Sequence, residues 1–507
     1  MNPAHQVIRG GRVLDTERRG TEYADILIAG DTIVEIGPPG IDAPEGAVVI
    51  DASDRLVMPG LVNAHTHGNH SLGKGLGDRW SLELLQNANS WMGGGFTLDD
   101  MYIAGLLNAA QMVLKGCTAA YDMYTEFPRP SLEGLSAVGR AYSEVGVRVV
   151  LAPSMGDSTL YEAVPGLLDA LPPRHRAVVE KMRATPYEEH IAACSALLRD
   201  WPFDRGRVRP ALGPSVPLSC SDAFIRSCTD LAREFDVGIQ MHVGETKFQA
   251  VSGMKRYGVS LVRHLDGLGL LGPHFTGAHC IWLDDDDIEI MRDRGASVAH
   301  NPGSNLRLGA GIAPARRMVD RGLGLGIGTD GSSCSDSQNM FEAMRMAALV
   351  SRLVSPDPET WLGSWDVLSL ATDRAAEVLG LDAKIGRLRA GYQADMVFLD
   401  LTNVNYVPLN DIANQVVYCE DSSAVDSVMI GGRMVLAKRR FTTFDYDKLR
   451  RDVQASVDRL RAQNAATRQQ MEAMATFVSQ HCIGLADEGY HVHRRLDAPD
   501  ATRPARP

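Results

Sequence analysis

LVMPGLVNAHTH (56–67), DVGIQMH (236–242), HFTGAH (274–279) and LGLGIGTD (323–330) decide how this chain is read. Each is a short aliphatic run ending in a histidine or an aspartate. Apolar runs of this length, bounded by turn residues, read as buried strands. Residues at the carboxyl ends of successive parallel strands converge on one face of a β/α barrel, where active sites are built. Imidazoles and a carboxylate converging there form an N/O ligand set suited to zinc or ferrous iron. The expectation is a metal-dependent hydrolase.

Around these stretches, residues 59–384 alternate strands with helices. GVRVVLAPS, RVRPALGPS and ASVAHNP are separated by helix-period segments such as LDDMYIAGLLNAAQMVLKG and DAFIRSCTDLAREFD. That alternation implies βαβ units and a parallel sheet. After VMPGLVNAHTH, runs ending near Tyr121, Pro153, Pro214, His242, His279, His300 and Asp330 complete eight strands. Eight is what a closed (β/α)8 TIM-type barrel requires. Both chain ends differ from this middle. HQVIRGGRVLD and YADILIAGDTIVEIG near the start, and KIGRLRAGYQADMVFLDL and AVDSVMIGGRMVLAKRR near the end, are short-strand segments between glycine-rich turns. The expected fold is an α/β barrel over 59–384 with a small β-sandwich built from 1–58 and 385–442. Residues 443–507 read as a helical extension, polar over 445–480, with a Pro- and charge-rich frayed tail.

Hydrophobic residues make up 45% of the 507 and charged residues 22%, as in a globular enzyme with a large core. The net charge of −12 argues against nucleic acid or anionic membranes as partners. The eight cysteines show no CxxC spacing and read as buried small hydrophobes or pocket residues in a reducing compartment. The start, MNPAHQVIRGGRV, has no apolar secretory core, and no run of eighteen apolar residues occurs. A cytoplasmic enzyme acting on a small molecule is expected, as a homo-oligomer, either dimer or tetramer.

His65 and His67 are two apart at a strand end, so both side chains point the same way and can reach one ion. His242 closes the fifth strand, with Glu245 three residues on. Alone, Glu245 would read as a solvated acid at a helix N-terminus; beside a metal-activated water it becomes a proton shuttle. His279 and Asp330 follow the sixth and eighth strands. Three protein ligands with an open position mark a catalytic zinc site, whereas structural sites are closed, often by cysteine. No cysteine falls in this set.

With these motifs in view, the sequence resembles the amidohydrolase superfamily, in the branch of cytosine, guanine and S-adenosylhomocysteine deaminases and triazine hydrolases. PGLVNAHTH, HVGE, GAH, VAHNPGSNLRLGAGIAP, GTDGSS and GRLRAGYQADMVFLDL carry the likeness over roughly 5–440. The resemblance implies that His65, His67, His242 and Asp330 bind one zinc or ferrous ion, that His279 bonds the attacking water or the substrate, and that Glu245 shuttles protons. Two-metal members carry a lysine at the fourth strand end; RVRPALGPSVP has none, which implies one metal. The implied reaction is deamination of an amino-substituted N-heterocycle, such as a purine, pyrimidine, pterin or triazine, by hydroxide attack. Chlorohydrolysis, alkylamine release and cyclic-amide opening are alternatives, and a non-catalytic scaffold is a remote one.

Four further residues are candidate substrate contacts: His70 near the HxH pair, Trp91 beside Met92-Gly93-Gly94-Gly95 and Phe96, and His300 and Asn305 at the seventh strand end. Trp91 and Phe96 also read as packing, and the Asn-Pro of His300-Asn301-Pro302 as a turn. The acidic run Asp284–Asp287 reads as a helix cap. Nucleoside deaminases of the family carry a glutamate for ribose in the segment corresponding to LLQNANSWMGGG (84–95). This run holds no acid, so the substrate is expected to be a planar ring that is not a nucleoside.

Overall fold

The computed structural model describes residues 4–495. Eight strands form its centre: Leu61–Thr66, Cys117–Tyr124, Arg148–Met155, Val208–Pro214, Gly238–Val243, Phe275–His279, Ser297–His300 and Gly324–Ile327. Here they are called strands one to eight. They pair in chain order, and every neighbouring pair is parallel. Their ends fall within three residues of the positions read from the sequence; the second, for example, runs on to Tyr124. All of CTAAYDMY in that strand is buried, because strands of such a barrel are covered on both faces.

Side chains close the seam between strands one and eight. Asn63 Oδ1 accepts the Thr329 N–H at 3.0 Å, and Gln338 Nε2 donates to the Asp330 carbonyl at 2.7 Å. Gln338 Oε1 accepts the hydroxyls of Thr66 at 2.9 Å and Thr329 at 2.6 Å. A backbone bond from Asp330 N–H to the His65 carbonyl, 2.9 Å, also crosses the seam.

Ala64, Ala119, Ala152, Ala211 and Ala299 share a cluster with Ala375, Ala376 and Val378 of the helix Asp373–Val378. Strands from opposite sides of the barrel meet there, so the cluster is the barrel lumen. Gly326 permits the close packing: a Cβ on it would lie 2.9 Å from Ala375 Cα and 3.0 Å from Ala64 Cβ.

Both chain ends contribute to a separate nine-stranded, mostly antiparallel sheet. The junction is the antiparallel pair Arg55–Pro59 with Met396–Asp400, in register from Met396↔Pro59 to Asp400↔Arg55. Strand three is tied to this sheet by a buried ion pair, Arg148 Nε to Asp395 Oδ2 at 2.7 Å. The acidic run caps its helix as expected: Asp284 Oδ1 accepts the Asp287 N–H at 2.8 Å, and Asp287 Oδ2 accepts the Asp284 N–H at 3.3 Å.

Two C-terminal helices follow the sheet, Tyr446–Gln463 and Ala465–Asp487. The second packs Met471, Met474, Val478 and Cys482 against Leu85 and Trp91 of the helix Leu82–Met92. The tail expected to fray lies, beyond Arg495, outside the described residues. Among the described residues no helix is long and apolar enough to cross a membrane.

Candidate active site

The strand ends bring His65, His67, His242, His279 and Asp330 together. Each imidazole turns its Nδ1 outward to an oxygen: His67 to Met123 O at 2.6 Å, His242 to Ser215 O at 2.7 Å and His279 to Asn305 Oδ1 at 2.9 Å. His65 Nδ1 meets Gln240 Oε1 at 2.6 Å, while Gln240 Nε2 donates to Ala64 O at 3.0 Å. All four partners accept, so each Nδ1 carries the proton and each Nε2 presents a lone pair inward. His67 Nε2 and His242 Nε2 lie 3.1 Å apart. Asp330 Oδ1 is 3.4 Å from His67 Nε2 and 3.6 Å from His65 Nε2, and Oδ2 is 3.7 Å from His279 Nε2.

Two inward lone pairs at that distance repel unless a cation sits against both. His65 Nε2 and His279 Nε2 are buried with no hydrogen-bond partner among the described residues. Two groups, His65–His67–His242 and His65–His279–Asp330, each hold their donor atoms within 4.8 Å of one another and could hold a metal ion. Zinc–nitrogen bonds of about 2.0–2.1 Å place neighbouring ligand atoms roughly 3–3.5 Å apart, so the donor set fits such an ion.

Burial shapes the charges. It pushes His67 well below the ordinary imidazole value, His242 down to about 3 and His279 down to about 4. All three are therefore neutral at pH 7, the form that ligates metals. Burial would raise Asp330, but the close approach of His65, His67 and His279 outweighs it and keeps the carboxyl well below its usual range. His279, Cys280 and Asp330 have φ of 69°, 49° and 62°. Left-handed backbone at non-glycine residues costs roughly 1–3 kcal/mol each and clusters at functional sites.

Glu245 precedes Thr246, the N-cap of the helix Lys247–Tyr257. It is 2% exposed, so it is no solvated helix-terminus acid. Its Oε1 lies 3.8 Å from His279 Nε2. Burial, then the charges of Asp330 and Glu83, push its carboxyl well above the usual range.

The four candidate contacts occupy different places. His70 Nδ1 meets Ser333 Oγ at 2.8 Å, with its ring 5.0 Å from that of His67. His300 is buried, with Nδ1 unpartnered among the described residues; it lines a separate cavity with Ala313, Pro314 and Arg317, and burial pushes it down to about 4. Asn305 holds His279. Trp91 stands with Trp80 in a T-shaped pair and is covered by the Arg468 guanidinium, 4.9 Å from its ring centroid. Phe96 packs on the main core.

The sequence reading missed several groups. Gln240 lies two residues before His242, on the same strand face, and that spacing was an available signal. Asp122 receives the Gly68 N–H and the Tyr142 hydroxyl, both at 2.8 Å, and so fixes the turn after His67. Glu83 immediately precedes the acid-free run 84–95; it is 5% exposed and its charge reaches Glu245. A cavity of about 630 Å³ is lined by Thr246 and Leu306, the chain neighbours of Glu245 and Asn305, and among others by Trp80, Glu83, Phe248 and Cys482.

The amidohydrolase family model matches residues 56–435. A 5-methylthioadenosine/S-adenosylhomocysteine deaminase of Caldanaerobacter subterraneus subsp. tengcongensis is 30% identical over 450 residues, 88% of this chain and 95% of that one. A 5′-deoxyadenosine deaminase of Methanothermobacter thermautotrophicus is 32% identical, over 85% of this chain and 92% of that one. Among solved structures, an adenosine deaminase from Xanthomonas campestris with bound zinc superposes with a TM-score of 0.80 at 26% identity, covering 91% and 99% of the two chains. The atrazine chlorohydrolase of Arthrobacter aurescens TC1 complexed with zinc gives 0.79 at 26% identity, over 89% and 99%. The motif order, the barrel and the family match agree: the chain belongs to the amidohydrolase family.

Proposed function

We propose that the protein is a mononuclear-metal aminohydrolase that deaminates an aminated N-heterocycle. The observation that carries this reading is the pair of inward imidazole lone pairs 3.1 Å apart beside a buried carboxylate. His65, His67, His242 and Asp330 would hold the ion, zinc by preference and ferrous iron as the alternative. When bound, such an ion supplies a Lewis acid that brings the pKa of water near 7. Asp330 and Glu245 take the proton of the attacking water. Glu245 passes the first proton to the ring nitrogen as the new C–O bond forms. The second, taken by Asp330 from the hydroxyl of the adduct, goes by way of Glu245 to the amine as the C–N bond breaks to release ammonia. His279, fixed by Asn305, hydrogen-bonds the water or the substrate.

The relatives named as nucleoside deaminases, together with buried Glu83 beside the cavity, support an aminopurine nucleoside as a substrate and weigh against the expectation of a ring without ribose. Likeness to a chlorohydrolase supports chloride displacement as a second reading; Glu245 favours ammonia, which needs a proton to leave. Eight free cysteines support a reducing cytoplasm, and exposed Leu353 and Val354 support a homo-oligomer. Ammonia release across purines, their ribosides, pyrimidines, pterins and triazines tests the reaction, with elemental analysis beside it. One equivalent of metal per chain is expected. Two equivalents, or unchanged metal in His65→Ala/His67→Ala, would refute the assignment of the site.

A further inference from the structure

The structure assigns the C-terminal helix Ala465–Asp487 to the substrate cavity: we propose that its Ile483 and Ala486 set how large a substituent the reacting ring can carry. The inference rests on the aminohydrolase reading above and extends it to residues beyond the family match, which ends at 435.

One side of the 630 Å³ cavity is built by the barrel. Thr246 follows Glu245 in the chain, Leu306 follows Asn305, and Glu83 acts electrostatically on Glu245. The facing side is the C-terminal helix, which contributes Cys482, Ile483 and Ala486. Cys482 is buried, while Ile483 and Ala486 are half-buried and face the space. Pockets for small ligands span about 300–1,000 Å³ and bury most of the ligand's surface. A bare aminated ring of some ten heavy atoms would leave much of this volume empty. A substituent on the ring would lie between the barrel loops and Ile483 and Ala486.

The wall is fixed in place by the segment that follows it. Lys255 Nζ bonds Glu488 Oε1 at 2.5 Å and His491 Nε2 meets Asp284 Oδ2 at 3.0 Å. Arg494 donates to the carbonyls of Ile281 at 2.9 Å and Leu283 at 2.7 Å, and its own carbonyl accepts the Ile312 N–H at 2.7 Å. Residues 488–494 thus grip the helix Lys247–Tyr257 that follows Glu245, the segment 281–284 that follows His279 and the segment at Ile312 beyond Asn305. The helix is held at a set distance from the reacting groups, which a size filter requires.

The test compares adenine with 5′-methylthioadenosine on the full-length, metal-loaded protein. Two readouts are taken: calorimetric affinity for the Glu245→Gln variant, which needs no turnover, and ammonia release by the chain with Glu245 intact. Ala486→Trp, which fills the space, should weaken 5′-methylthioadenosine binding at least tenfold and leave adenine within twofold. Ile483→Ala, which enlarges it, should change the nucleoside-to-base affinity ratio at least threefold and spare adenine, and it guards against a misfolded tryptophan variant. Equal effects on both ligands, no effect on either, or no binding of 5′-methylthioadenosine to the parent overturns the proposal. Selective affinity changes without ammonia release in any form would leave the wall standing and remove the deaminase reading instead.

Discussion

Gln240→Leu isolates the role of a side chain that touches no ion. Gln240 is fully buried, and its Oε1 takes the His65 Nδ1 proton at 2.6 Å. Leucine fills a similar volume but offers no acceptor. In the metal-loaded protein Nε2 must keep its lone pair, so the Nδ1–H stays buried and unpaired, at a cost of about 1–3 kcal/mol. The metal-free protein escapes that cost. Its ring can move the proton to Nε2, 3.6 Å from Asp330 Oδ1. The difference therefore falls on metal affinity, and at about 1.4 kcal/mol per factor of ten it amounts to roughly 10–100-fold weaker binding. Competition against a chromogenic chelator of known affinity measures it, with circular dichroism as the folding control. Gln240→Glu retains an acceptor and should bind at least as tightly as the parent. A leucine variant within twofold of the parent would refute the argument that the outer hydrogen bond sets the tautomer.

Glu245→Gln should keep its metal and lose roughly 10²–10⁴ in turnover, the scale of a positioned acid–base; a rate within threefold of the parent would remove Glu245 from the chemistry. Arg148→Met leaves Asp395 buried at 3% exposure without its cation and should cost about 3–5 kcal/mol in denaturant unfolding. A cost below about 1 kcal/mol would mean that the pair does not hold the sheet to the barrel. Burial pushes Asp287 up to about 6 from 3.8, so between those values the folded chain holds a proton that the unfolded chain has released. That contribution is fully present below pH 4 and is lost as pH rises through 6, at up to about 1.4 kcal/mol per unit. Asp287→Asn should therefore gain on the parent as pH rises from 4 to 6 in paired thermal melts, and a difference independent of pH would contradict the assignment.

The barrel was legible because its strands are buried on both faces and read as unbroken apolar runs, each punctuated by the residue that faces the mouth. His65, His67, His242, His279 and Asp330 stand at those punctuation points. Gln338 and Asn63 were not, since a lone amide carries no period and these two meet across 275 residues of chain; Gln240 had only its two-residue spacing from His242 to mark it. Glu83 escaped because only its burial beside the cavity distinguishes it from an ordinary acid in the first turn of a helix. Trp91 shows the opposite limit: composition marked an aromatic near the mouth, but only coordinates reveal that Arg468 covers its face. The pairing of the helix Ala465–Asp487 with Leu82–Met92 joins segments nearly four hundred residues apart, and no local pattern announces it.

The seam between strands one and eight carries a consequence for metal binding. His65 and His67 stand on one lip, Asp330 on the other, and amide and hydroxyl groups do much of the work of a ladder between them. The ligand set is thus divided across a joint that has no ladder of its own, and the amide and hydroxyl bridge sets the distance between imidazoles and carboxylate. Loosening that bridge would draw the hard oxygen donor away from the nitrogens without touching a single ligand. The grip of this chain on an ion is tied to the fastening of its barrel.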